Sequence, residues 1–94
     1  HFFNPAPVMK LVEIIRGLKT SAEIAQALFS LMQSWNKVPV TAKSTPGFIV
    51  NRVARPYYAE AFRALQENVT TPEQLDFIMR ECGRFAMGPC ELTD

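Results

Sequence analysis

Between Lys10 and Ala42 the chain reads as strand, capped helix, strand, and that succession leaves few folds open. Lys10–Ile15 (KLVEII) is rich in β-branched residues and is ended by Gly17, the pattern of a strand. Thr20-Ser21-Ala22-Glu23 has the form of a capping box, with Thr20 offering its hydroxyl to an orphan amide and a Glu three residues on. Ile24, Leu28, Leu31 and Trp35, with Ala27 and Met32 beside them, then recur at helical period and predict the buried face of a helix that stops at Asn36. Val38–Ala42 (VPVTA) predicts a second strand, with Pro39 at its start or on a sheet edge because it has no amide hydrogen to give. Strand, helix and strand within about 30 residues is the spacing of a right-handed parallel crossover unit.

Ser44-Thr45-Pro46-Gly47 marks a turn, and the composition shifts there. Phe48–Glu67 carries Ile49, Val53, Tyr57, Ala61 and Leu65 at a spacing of four, with Val50, Ala54, Tyr58 and Phe62 alongside. So wide a stripe predicts a helix buried on more than one side, kinked at Pro56. Thr71-Pro72 predicts the start of a further helix whose apolar face is Leu75, Ile78, Met79 and Cys82, closed by Gly83. Gly88-Pro89 opens another. The expected fold class is therefore α/β followed by all-α, divided into residues 1–45 and 46–94.

Size and charge narrow the function classes. A chain of 94 residues supports one small domain with a thin core, so a partner surface is expected. The net charge of +1, with scattered basic residues, gives no electrostatic case for nucleic acid. No apolar run approaches the ~20 residues that span a bilayer. Cys82 and Cys90 lack the spacing of a zinc or redox pair, so no metal site is expected and free thiols in a reducing compartment are. The four glycines stand apart at 17, 47, 83 and 88, so there is no glycine-rich phosphate loop.

Four polar residues could carry chemistry. His1 is the single imidazole, the usual group for moving a proton near neutral pH. Glu13 shares a strand face with Leu11 and Ile15, which points it towards packed structure. If His1-Phe2-Phe3 lies beside the Lys10–Ile15 strand, across the Asn4-Pro5-Ala6-Pro7 turn, Glu13 comes close enough to fix the imidazole tautomer. Asn51, in the first turn of the long helix, could donate to a substrate oxygen. Asn4 could cap the proline turn or reach a ligand. On pattern alone the bland roles stay open: a terminal packing histidine, an edge glutamate and a solvent-facing Asn51. Trp35, Phe48, Tyr57, Tyr58 and Phe62 read as core or interface aromatics.

Three segments carry a resemblance. His1–Glu13 (HFFNPAPVMKLVE) is similar to the catalytic segment of the L-3-hydroxyacyl-CoA dehydrogenase family. Thr45–Arg52 (TPGFIVNR) resembles the opening of that family's C-terminal helical domain, and Met87–Asp94 resembles its MGP-x-EL-x-D motif. The order and spacing match over essentially the whole chain, and Val53–Tyr58 leans towards the bacterial branch acting on 3-hydroxyadipyl-CoA or 3-hydroxybutyryl-CoA. The resemblance implies an oxidoreductase that uses NAD to convert a 3-hydroxyacyl-CoA to a 3-oxoacyl-CoA. It implies His1 as general base, Glu13 as the residue that orients and polarises it, and Asn51 as an active-site asparagine that helps hold the substrate and the histidine; Asn4 stays a candidate substrate contact from its place before Pro5, beside its turn role. It further implies the last strands of a Rossmann-type nucleotide domain joined to the first helices of a dimerisation domain, a homodimer as partner state and a cytoplasmic protein, with the mitochondrial matrix left open. The chain is then expected to be a piece of a longer protein, its dinucleotide fingerprint lying upstream. The second expectation is that the segment by itself is a non-catalytic folding and self-association module.

Overall fold

A computed structural model describes residues 1–93. Its elements run β1 (Leu11–Arg16), α1 (Ala22–Ser34), β2 (Val38–Lys43), α2 (Val50–Gln66), α3 (Pro72–Glu81) and α4 (Pro89–Thr93). The chain forms two compact units, His1–Val50 and Asn51 onward.

In the first unit β1 and β2 pair in parallel, Leu11 opposite Val38 and Arg16 opposite Lys43, as the strand–helix–strand succession requires. On its other edge β1 makes one antiparallel bridge, Val12 to Phe2. The opening residues therefore lie beside β1 as a single bridge rather than as a full strand. Val12 and Ile14 point to one side and pack with Ala25 and Met32 of α1, with Phe29 against them. Alternation sends Glu13 to the opposite face.

Two details of α1 differ from expectation. Its N-cap is Ser21, in extended conformation, whose hydroxyl accepts from the Ile24 amide. Thr20 is unavailable because its hydroxyl accepts from Gly17 N–H at 3.1 Å, closing the turn out of β1. With the cap moved by one residue, Glu23 falls in the first turn, where its own backbone and the Ser21 hydroxyl hold its carboxyl below the usual range. The buried face also differs. Ala25 and Met32 are buried, whereas Ile24, Leu28, Leu31 and Trp35 are exposed. α1 is apolar around much of its circumference, so its period fixes a helix but not its rotation. Two strands cover only a narrow strip of it. Asn36, at φ 57°, ends the helix where the sequence placed its stop.

The segment from Asn4 to Met9 turns the chain back on itself. The Asn4–Pro5 peptide is cis, and the Pro5 carbonyl accepts from the amides of Val8 and Met9, both at 3.0 Å. That carbonyl closes the turn; the exposed Asn4 side chain makes no hydrogen bond to another described residue. Lys37 clamps the turn from outside. Its ammonium donates to the carbonyls of Ala6 at 2.5 Å, Met9 at 2.8 Å and Pro7 at 3.4 Å.

The second unit is helical. α2 begins at Val50 rather than Phe48, because Gly47 and Phe48 are both left-handed, at φ 75° and 49°. It runs on through Pro56. Ala61 is its buried residue, while Val53 and Phe62 are exposed, so the wide stripe is not covered on several sides here. α3 starts as the sequence reads, with Thr71 accepting from the Gln74 amide and Pro72 in the first turn. Its face is turned from expectation: Ile78 and Cys82 are exposed and Asp76 is buried.

Asp76 is buried because α4 needs it. Gly88, ahead of Pro89, has no side chain to cap that helix. Instead Asp76 accepts from the amides of Cys90 at 2.8 Å and Glu91 at 3.1 Å, and Glu91 reaches back to the Gly88 amide at 2.9 Å. A methyl group on Gly88 would lie 2.2 Å from the Asp76 oxygen, so only glycine admits the approach. Arg80 pairs with the other side of Glu91. Nearby, Tyr57 donates to the Met87 carbonyl at 3.3 Å and stacks on Phe85. Burial, then the Asp76 charge, raise both the Tyr57 phenol and the Cys90 thiol above their ordinary ranges. Cys82 and Cys90 are free thiols. Asp94, which ends the third resembling segment, lies outside the described residues. No helix among those residues is long and apolar enough to cross a membrane.

Candidate active site

His1 and Glu13 exchange both backbone hydrogen bonds: the His1 nitrogen donates to the Glu13 carbonyl at 2.9 Å, and the Glu13 amide to the His1 carbonyl at 3.0 Å. Residues paired in this way stand directly opposite, with side chains on the same face of the sheet. The imidazole and the carboxylate are thereby neighbours by backbone geometry. Nδ1 of His1 lies 2.7 Å from Oε2 of Glu13.

Glu13 is 0 % exposed, which makes it the most completely buried ionisable group described. A buried carboxylate is tolerable only when its oxygens are satisfied. Here Oε2 meets the imidazole, and Oε1 accepts from the amides of Ile49 at 3.0 Å and Val50 at 2.9 Å. Those amides open α2, where backbone N–H groups have no partner inside the helix. Glu13 thus joins a turn to a strand across 36 residues of sequence.

The His1 side chain is 31 % exposed. Phe3 and Phe48 meet its ring edge-on, with centroids 4.9 and 5.3 Å away. With Nδ1 engaged, Nε2 is the nitrogen left free to exchange a proton. A hollow of about 250 Å³ lies on the α1 side of β1, lined mainly by apolar side chains, Phe2, Val12, Leu28 and Met32 among them.

The structure therefore brings His1 and Glu13 together. Asn51 follows Val50 directly, half-buried in the first turn of α2, at the head of the second unit. Asn4 is exposed on the proline turn. Sequence reasoning missed Lys37, Phe48 as a neighbour of the imidazole, and the second oxygen of Glu13. One signal for the last was available: the α2 start lacks a Ser, Thr, Asp or Asn immediately before it, so its amides need an acceptor from elsewhere. No group of three or more metal-ligating side chains occurs among the described residues.

Comparison with known proteins places this geometry. The model described as 3-hydroxyacyl-CoA dehydrogenase, NAD binding domain, matches residues 1–45, and that of the 3-hydroxyacyl-CoA dehydrogenase C-terminal domain matches residues 47–94. The chain is 63 % identical over its whole length to the 3-hydroxyadipyl-CoA dehydrogenase of Escherichia coli, of which it spans 20 %. It is 45 % identical, again over its whole length, to the human mitochondrial hydroxyacyl-coenzyme A dehydrogenase, of which it spans 30 %. The fold agrees with the crystal structure of 3-hydroxybutyryl-CoA dehydrogenase from E. coli at a TM-score of 0.96 and 62 % identity, over 99 % of this chain and 20 % of that one. Two parallel strands and a run of helices, matched end to end by these domains, show that the chain belongs to the 3-hydroxyacyl-CoA dehydrogenase family.

Proposed function

We propose that the protein to which these residues belong oxidises the 3-hydroxyl of a 3-hydroxyacyl-CoA to the 3-oxo compound, with NAD as cofactor. The observation that carries the reading is the 2.7 Å bond between His1 Nδ1 and the fully buried Glu13 carboxylate. It fixes the tautomer, leaves Nε2 to accept the hydroxyl proton, and compensates the imidazolium that results. Glu13 acts through His1. Asn51 is assigned to substrate binding by the motif match, and Asn4 by its place on the proline turn.

NAD, when bound, supplies the hydride acceptor. The four glycines stand apart and form no glycine-rich phosphate loop. The share of His1 and Glu13 in the reaction is the proton. The chain's relatives are named for 3-hydroxyadipyl-CoA, 3-hydroxybutyryl-CoA and hydroxyacyl-coenzyme A substrates, which supports a 3-hydroxyacyl thioester as substrate class; a place in fatty-acid or aromatic-acid breakdown is part of the same proposal. The exposed apolar side chains of the helical unit, Val53, Phe62, Phe77 and Ile78, support a homodimer formed through it. Two free thiols support a reducing compartment such as the cytoplasm.

The deciding experiment measures NADH formation from 3-hydroxybutyryl-CoA and 3-hydroxyadipyl-CoA by the full-length protein, with His1→Gln alongside. Activity in the wild type and its loss in the variant is expected. An active His1→Gln protein overturns the base assignment, and sedimentation of the full-length protein as a monomer overturns the dimer.

A further inference from the structure

One hydrogen bond does not hold a ring still. The bond from His1 Nδ1 to Glu13 fixes one corner of the imidazole, but the ring can still hinge about it, since the outer torsion of a histidine side chain is broad. Two aromatic rings remove that freedom. Phe3 meets the imidazole at 4.9 Å and 63°, and Phe48 at 5.3 Å and 61°. Phe3 belongs to the segment that carries His1. Phe48 arrives from the turn after β2 and has no such local reason to be there.

The backbone of Phe48 shows that its place is imposed. Its φ of 49° lies in the left-handed region, where a bulky residue is an outlier that persists only when its surroundings over-determine it. Gly47 before it is left-handed too, at φ 75°. After these two residues come the amides of Ile49 and Val50, both bound to Oε1 of Glu13. The backbone of the turn thus serves Glu13 while the side chain of the same turn meets His1. A glycine at position 48 would satisfy the backbone without strain, so the ring is what the strain retains.

We propose that Phe48 is a positioning residue for proton transfer: its ring holds the His1 imidazole in the plane that keeps Nδ1 on Glu13 and Nε2 towards substrate. The proposal deepens the reading of His1 as the base and rests on it.

The test uses the full-length protein with Phe48→Leu, Phe48→Gly and Phe48→Tyr. The readouts are kcat and KM for 3-hydroxybutyryl-CoA, and the Nδ1 proton resonance of His1 in histidine-labelled protein, assigned by its absence in His1→Gln. Phe48→Leu is expected to lower kcat about ten- to a hundredfold with KM nearly unchanged, the scale of a misplaced reacting group. It should also broaden or shift the Nδ1 proton signal. Phe48→Tyr should restore both. Phe48→Gly should behave like Phe48→Leu in activity although it relaxes the backbone, and it replaces Phe48→Leu if that variant does not fold. Wild-type kcat with an unchanged proton resonance in the ring-less variants overturns the proposal. If the wild type itself makes no NADH, the function reading falls separately. The resonance then decides positioning alone: preserved in the ring-less variants, it overturns the proposal; lost, it sustains it.

Discussion

Glu13 grips His1 with one oxygen at 2.7 Å and spends the other on the amides of Ile49 and Val50 at 3.0 and 2.9 Å. Orienting a base and starting a helix are therefore tasks of one buried carboxylate. Substitutions at its two ends separate them.

Glu13→Gln is expected to lower kcat about a hundred- to ten-thousandfold, because a neutral amide no longer stabilises the imidazolium or enforces its tautomer. Glu13→Ala should cost stability as well, roughly 1–3 kcal/mol for each of the two amides left without an acceptor. His1→Gln should lose comparable activity while stability stays within about 1 kcal/mol of wild type, since those amides keep their partner. Urea unfolding alongside steady-state kinetics separates the three. A Glu13→Ala protein as stable as His1→Gln refutes the shared role.

Asp76 does for α4 what Glu13 does for α2. Gly88→Ala drives a methyl group to 2.2 Å from the Asp76 carboxylate, and a destabilisation of about 1–3 kcal/mol is expected. Asp76→Ala should cost a similar amount by unpairing the Cys90 and Glu91 amides. The double variant should fall well short of the sum, because both changes break one contact. Strict additivity in a denaturant series would show that the two residues act independently.

Lys37→Met is expected to loosen the turn between His1 and Glu13 by removing an ammonium from the carbonyls of Ala6, Pro7 and Met9. The cost should be about 1–3 kcal/mol, with faster hydrogen exchange at the Val8 and Met9 amides. Lys37→Arg should recover only part of this, because a planar fork fits three converging carbonyls poorly. Unchanged exchange at Val8 and Met9 in Lys37→Met contradicts the clamp.

Alkaline pH should weaken the helical unit before the strand unit. Burial first, then the Asp76 charge, raise the Cys90 thiol and the Tyr57 phenol. The folded state thus binds these protons more tightly than the unfolded chain does. Their contribution is complete below the unfolded thiol value of roughly 8.5 and is lost as pH rises through the raised folded values. Unfolding followed from pH 7.5 upward should show stability falling with pH, with a shallower fall in Cys90→Ala. The half-buried Cys90 should also be alkylated more slowly than the exposed Cys82 near pH 8. Equal rates of labelling speak against a raised Cys90.

The sequence by itself determined the elements and their punctuation. The β-branched run at Lys10–Ile15, the Thr71-Pro72 start and the Asn36 stop each act on residues within one helical turn or one strand; the structure shifts the strand by one residue, to Leu11–Arg16, and places the other two where the residues put them. The opposition of His1 and Glu13 was also legible, because a short proline turn leaves the chain little choice but to return beside itself. Only the tertiary structure decided which side of α1 is buried, that Asp76 rather than Ile78 is buried on α3, that Lys37 closes on the proline turn and that Phe48 meets the imidazole. Those outcomes depend on acceptors and surfaces supplied from across the folded chain, as where Asp76 serves Cys90, 14 residues away, and Glu13 serves Val50, 37 residues away. A hydrophobic period records that a face is apolar, and a helix start records that its amides lack partners. Neither records which distant side chain will meet the need, because that choice is made by packing between elements and not within them.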